Sequence, residues 1–352
     1  MIAKPQVAMP DTTTMPDKPV KPLIDCHVHL AALPEGNNGC IISPKMLKSP
    51  LFRLLLWKHQ LSPSNPADAN RKYLQDLLHE LHASHYVSQA VLLGMDGVYT
   101  NEGRIDYQAT DFLVSNDYVL QQAREHPNEF LAGVSINPQR IDAIEELHRC
   151  AEAGAVLVKV LPNSQQFDPG HHRYKKFYRE LAALGLPLLS HVGYEFSLMG
   201  KDQSMGDPNR LRTALEEGAT VIAAHACSSG LMVYEKYYPT LIEFVNQYPH
   251  FYADISALTL PNRLGMLLIL RHHPEIFDRL IFGTDYPLSV FHLPAWGLTK
   301  FSTLHQIMRT TNRFDRQYLV CKNLGLGFTS LQTIINATQP NLSSSPPLPP
   351  HT

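Results

Sequence analysis

Leu23-Ile24-Asp25-Cys26-His27-Val28-His29-Leu30 is short, apolar and β-prone, and it follows a proline-rich opening with Pro5, Pro10, Pro16 and Pro19. It reads as the first strand of the fold. Side chains alternate along a strand, so Asp25, His27 and His29 share one face and Cys26, Val28 and Leu30 the other. Two imidazoles one pleat apart can grip a single cation, and Asp25 is placed to orient them from behind. A half-buried strand that merely carries two histidines has the same sequence. The remainder of the chain separates the two readings.

Next comes a long irregular segment, 31–70, opening with the turn Gly36-Asn37-Asn38-Gly39 and predicted helical after Pro50. A loop of this length inside one domain serves as a lid, a binding loop or an assembly surface. Its helix, residues 50–60, offers Leu51, Leu54, Leu55 and Trp57 as apolar surface that must bury on the barrel or on a second subunit. Beyond it the pattern turns regular. Helices are predicted over 71–85, 112–125, 142–153, a stretch ending at Gly185, 210–217, 239–247 and 262–272. Between them lie near-continuous apolar runs: 87–94, 130–136, 155–161, 187–191, 220–225, 251–254 and 279–285. Eight such alternations predict a parallel sheet covered by helices, closed as a (β/α)8 TIM barrel. No Gly-x-Gly-x-x-Gly follows the first strand, which counts against a dinucleotide fold.

The 352 residues suffice for one large domain, and a formal net charge of −2 argues against an electrostatic nucleic-acid binder. Five cysteines without metal-type spacing fit a reducing compartment rather than a disulfide framework. Residues 1–20 lack the apolar run of a secretory signal, and no run approaches a membrane span, so the expected setting is the cytoplasm. Residues 1–21 read as a disordered arm, 22–335 as the barrel, and 336–352 as a disordered Pro/Ser-rich tail. The tail's Pro346-Pro347-Leu348-Pro349-Pro350 also suits a polyproline II ligand, but a solvated tail is the simpler reading.

Polar residues recur where strands end. His27 and His29 end the first strand, Lys159 lies near the end of the fourth, His191 ends the fifth, His225 the sixth and Asp285 the eighth. All six would emerge at the C-terminal mouth, where barrels of this kind carry their sites. A single strand-end histidine has an ordinary structural explanation; six polar side chains at one depth point to a shared site.

These residues resemble the amidohydrolase superfamily, and within it the amidohydrolase-related branch that also holds the aminocarboxymuconate-semialdehyde decarboxylase relatives. Asp25-Cys26-His27-Val28-His29 is similar to the superfamily's Asp-x-His-x-His, and His191 and His225 to its strand-five and strand-six histidines. Phe282-Gly283-Thr284-Asp285-Tyr286-Pro287 is similar to the branch's Phe-Gly-[Ser/Thr]-Asp-x-Pro, and Lys322–Phe328 to its Asn-containing final segment. The resemblance implies a divalent ion, Zn²⁺ favoured, held by His27, His29, His191 and Asp285, with one metal favoured and two possible. It implies Asp285 and His225 as catalytic groups, Asp285 taking a proton from the water and His225 holding that water or polarising a carbonyl. With two metals, His225 and a carboxylated Lys159 would join the ligands; with one, Lys159 serves as a cation for substrate anions.

Two reactions remain open on such a site: hydrolysis of an ester, lactone or amide, and non-oxidative decarboxylation of an aromatic or unsaturated acid. Decarboxylase relatives commonly vary the first motif positions to Glu or Ala and carry a basic residue near strand two. Here the first motif begins with Asp, and no Arg follows the second strand until Arg104, which favours hydrolysis. A barrel reduced to a binding scaffold is disfavoured by the intact ligand set. Asp96, Tyr99, Tyr194, Tyr286 and the 31–70 segment are expected to face a small-molecule substrate; a homo-oligomer is an open expectation.

Overall fold

Apolar runs bounded by turn signals become eight short strands, buried along almost their whole length. The computed structural model describes residues 23–196 and 202–339; the predicted N-terminal arm and the Pro-rich tail beyond residue 339, with its polyproline II stretch, lie outside the described residues. The strands are β1 Leu23–His29, β2 Val87–Leu93, β3 Phe130–Ser135, β4 Ala155–Val160, β5 Leu188–Ser190, β6 Val221–Ala223, β7 Phe251–Asp254 and β8 Leu280–Ile281. Each pairs in parallel with the next in sequence. The ring closes where the Cys26 N–H donates to Phe282 O (3.1 Å), the Asp285 N–H to His27 O (2.9 Å) and the His29 N–H to Tyr286 O (2.9 Å). This is the predicted (β/α)8 barrel, with its insertion after β1.

Two apolar clusters account for the layers. Ile24, Cys26, Leu93, Leu157, Leu189 and Ile222 fill the barrel interior, while a larger cluster lies between the strands and the helices around them. The helix Leu331–Thr338 adds Leu331, Ile334 and Ile335 to the interior set. Its end lies against Gly185, just before β5, where Gln339 Nε2 donates to the Gly185 carbonyl at 3.0 Å. The helix therefore plugs the barrel's N-terminal end and runs past residue 335, where the sequence reading ended the domain. Gly185 sits at φ 64°, and a Cβ there would fall 2.2 Å from the Thr338 carbonyl, so only glycine fits.

Two local expectations change. The helix predicted from Phe112 begins at Asn116, because Ser115 caps it with its hydroxyl accepting from the Tyr118 N–H. Phe112–Leu113 instead pairs antiparallel with Ile41–Ile42, tying the insertion to the loop after β2. In the insertion helix Pro50–Lys58 only part of the expected apolar surface is buried: Leu51 and Leu55 are half-buried. Phe52 joins Leu33, Met46 and Ala69 in a small separate core, with Leu56 packed against it, while Leu54 and Trp57 are 54% and 76% exposed. A nine-residue helix that is apolar on several sides does not reveal its inward stripe by periodicity. No helix among the described residues is long and apolar enough to cross a membrane.

Two measurements follow from the insertion. Phe52→Ala should destabilise by about 3 kcal/mol in urea unfolding, whereas Leu54→Ser and Trp57→Ser should each stay within about 0.5 kcal/mol at dilute protein. The second concerns His59, 7% exposed, whose ring packs on Tyr73 and Tyr286 and whose Nε2 has no hydrogen-bond partner. Burial, reinforced by Arg313 and Lys58, pushes its pKa down to about 4. A folded pKa below the unfolded value gives stability that is present above about pH 6.5 and lost as pH falls toward the folded pKa. The thermal midpoint of the wild type should therefore fall more steeply than that of His59→Leu between these limits; parallel curves would refute this.

Candidate metal centre

The first strand does not alternate cleanly. Its pairing to β2 shifts register between Asp25 and Val28, so Ile24 and Cys26 pack inside the barrel while Val28 joins the outer cluster. A bulge of this kind re-aims side chains. Asp25 is accordingly not the group that orients the histidines. Its Oδ1 accepts from the His27 N–H (2.9 Å) and the Thr284 N–H (3.1 Å), and its Oδ2 from the Thr284 hydroxyl (2.6 Å). Burial pushes its pKa up to about 7, against the downward pull of those donors. The carboxylate that holds His27 is Asp254, at the end of β7, with Oδ2 2.7 Å from His27 Nδ1. Sequence reasoning passed over Asp254, although the same strand-end position that marked the other six residues also marks this one.

At the mouth, His27 Nε2, His29 Nε2 and Asp285 Oδ1 form a triangle with sides of 3.1, 3.3 and 3.4 Å. Tetrahedral ligands bound at about 2.0–2.1 Å stand about 3.3–3.4 Å apart. The three atoms are spaced as such a site requires, so the residues fit a divalent ion. His27, His225 and Asp254 form a second group of ligand-type atoms lying within 4.8 Å of one another. His191 belongs to neither group: its Nδ1 is 3.3 Å from His225 Nε2, and its buried Nε2 lies 3.6 Å from Glu195 Oε2. Lys159, 1% exposed, places Nζ 3.1 Å from His27 Nε2, among the ligand-type atoms rather than out at the rim. All six predicted strand-end residues thus share one region.

The backbone bends sharply to achieve this. His225, Ala226 and Cys227 after β6 have φ of 56°, 49° and 59°, and Asp285 after β8 has φ 66°. Non-glycine residues occupy that region rarely, at a cost of about 1–3 kcal/mol each, and chiefly at functional sites.

Charge states suit a cation. Burial, followed by the neighbouring Lys159 charge, lowers the His27 pKa. Burial and then Arg263 hold His191 and His225 well below the ordinary imidazole value. Asp285, although burial pushes it up, is held well below the usual carboxylate range by His27 and His29. Burial also lowers the Lys159 pKa. Neutral imidazoles around an ionised carboxylate are the donor set that divalent metals take.

The residues expected to face substrate divide. Asp96 is buried, accepts from the Tyr99 hydroxyl at 2.9 Å and lies 3.5 Å from Arg140, so Asp96 and Tyr99 serve a structural network beside a separate cleft of about 280 Å³. Tyr286 is fully buried and stacks on Phe314. Asp96 and Tyr286 turn inward because a tertiary partner waits for each, while Tyr99 stays partly exposed at that cleft. Tyr194 does lie partly exposed, stacked on Phe196 with Lys236 over its ring. Arg263, missed in the sequence, is 5% exposed and bridges the carbonyls of Ser228 and Tyr194.

A family profile described as amidohydrolase matches residues 24–306. No curated protein matches the chain in sequence. Among solved structures, an uncharacterized TIM-barrel protein from Bordetella bronchiseptica is similar at 17% identity and a TM-score of 0.56, over 85% of this chain and 95% of that one. An amidohydrolase from Burkholderia multivorans with bound HEPES is similar at 11% identity and a TM-score of 0.50, over 87% and 100%. A 2,6-dihydroxybenzoate decarboxylase from Rhizobium aligns at 16% identity and a TM-score of 0.49, over 90% and 99%.

Proposed function

Because the chain belongs to the amidohydrolase family, whose enzymes use divalent metals on small molecules, we propose that it hydrolyses an ester, lactone or amide bond. The observation that carries this reading is the geometry of the mouth, where His27 Nε2, His29 Nε2 and Asp285 Oδ1 stand 3.1, 3.3 and 3.4 Å apart and the carboxylate is an acceptor for a proton from water. Decarboxylation needs an acid that delivers a proton to carbon, whereas burial favours the neutral, proton-free forms of His27, His191, His225 and Lys159.

His27, His29, His191 and Asp285 would hold the ion, Zn²⁺ in our reading, with His191 shifting from beside His225 to join the other three. The ion, when bound, acidifies water and polarises a substrate oxygen. Asp285 Oδ1, ionised and 3.1 Å from His29 Nε2, would receive the water's proton. His225, buried and neutral, would hold the attacking water by accepting its hydrogen bond. We read the site as mononuclear, with Lys159 unmodified. The insertion, whose His59 packs on Tyr286 next to Asp285, would form one wall of the mouth and select substrate. The five buried, unpaired cysteines support a cytoplasmic setting.

Three measurements test these points. Metal analysis should give close to one divalent ion per chain, with His27→Ala and Asp285→Ala losing metal and activity together; a content near two, with bicarbonate dependence, would establish the carboxylated Lys159. A panel of lactones, esters, N-acyl amides and aryl carboxylates should show hydrolysis, and carbon dioxide release from an aryl acid would overturn the assignment. His59→Ala, at the insertion's contact with Tyr286, should raise KM without altering mass in solution; a smaller assembly with unchanged kinetics in Leu54→Ser/Trp57→Ser, the exposed pair, would make the helix an oligomer contact instead.

A further inference from the structure

We infer that Asp254 and Ser256 are positioning residues that hold His27 and His225 in the tautomer with Nδ1 protonated and the Nε2 lone pair facing the mouth. As it concerns the same site, its metal arm rests on the proposed function, while the tautomer arm does not.

Asp254 is fully buried, and its Oδ2 lies 2.7 Å from His27 Nδ1. An ionised carboxylate can only accept. The hydrogen in that bond therefore belongs to Nδ1, and His27 Nε2 is left with its lone pair, 3.4 Å from Asp285 Oδ1 and 3.3 Å from His29 Nε2.

The same carboxylate settles the second ring through Ser256. Its Oδ1 accepts the Ser256 N–H at 3.0 Å and a short bond from the Ser256 hydroxyl. With its one hydrogen committed there, Ser256 Oγ faces His225 Nδ1 at 2.9 Å as an acceptor. The Ser256 carbonyl, 3.2 Å from the same nitrogen, can only accept as well. Both neighbours of His225 Nδ1 thus require a hydrogen on it, which leaves the Nε2 lone pair pointing at the site. Asp254 Oδ1 also takes the backbone N–H of His225 at 2.9 Å, which anchors a residue in the left-handed region. One buried carboxylate therefore sets two rings and one strained backbone. Carboxylates and hydroxyls behind histidine ligands commonly act this way, and their loss weakens metal binding by about 10–100-fold.

The test uses the full-length protein with ¹⁵N-labelled histidine, as purified and after chelation. Long-range ¹H–¹⁵N correlation spectra distinguish protonated from unprotonated ring nitrogens, and His27→Gln and His225→Gln identify the two rings among the 18 histidines. Both rings should show protonated Nδ1. Asp254→Asn should mix the His27 tautomers, and zinc competition against a chromophoric chelator should show affinity falling by about 10–100-fold. Ser256→Ala should disturb His225, and Ser256→Thr should restore it. Protonated Nε2 on either ring in the wild type, which needs no variant to fold, overturns the inference, as do unchanged ring signals in Asp254→Asn. Altered tautomers with zinc affinity intact would support the positioning role and count against the metal reading instead.

Discussion

The contact on which both barrel and site depend is the buried carboxylate of Asp25 on the seam between β1 and β8. It takes two donors from Thr284 and one from the backbone of His27. The bond to Thr284 spans 259 residues of sequence, a separation whose logarithmic closure entropy alone is about 5 kcal/mol. One staple cannot offset that; the full circuit of parallel pairings does, and Asp25 fixes where the circuit meets itself. Because His27 and Asp285 flank that junction, the register of the seam is also the spacing of the candidate ligands. A slip by one residue would turn His27 and Asp285 away from each other.

Much of this was legible in the sequence, for a definable reason. A strand's length, a helix stop at glycine and the polar residue at a strand's C-terminal end are local signals, and they brought His27, His29, Lys159, His191, His225 and Asp285 to one end of the barrel. What was illegible depends on distant partners. The bulge after Asp25 comes from pairing with β2, so strict alternation assigned Asp25 a task that Asp254 performs. Asp96 turns inward because Arg140 lies beside it, and Tyr286 because Tyr73 and Phe314 surround it. The insertion helix hid its inward stripe because neighbouring positions are nearly all apolar.

The left-handed residues after β6 and β8 show what the scaffold supplies to the site. Regular strand ends would send His225 and Asp285 along the barrel axis. A local reversal turns each across the mouth, and hydrogen bonds from the His225 N–H to Asp254 and from the Asp285 N–H to His27 O hold those turns. The strain sits where packing is dense enough to retain it.

The plug formed by Leu331–Thr338 has a consequence for the order of assembly on the ribosome. Leu331, Ile334 and Ile335 complete an interior that begins with Ile24, so the first strand emerges hundreds of residues before the helix that seals the floor beneath it. During synthesis the nascent barrel exposes a greasy opening at its base and an unpaired β1 edge, the kind of surface that recruits chaperones. Completion is vectorial and late. A premature stop between β8 and the helix Leu331–Thr338 would release a chain with its sheet and an open floor, a substrate for quality control rather than an enzyme of reduced activity.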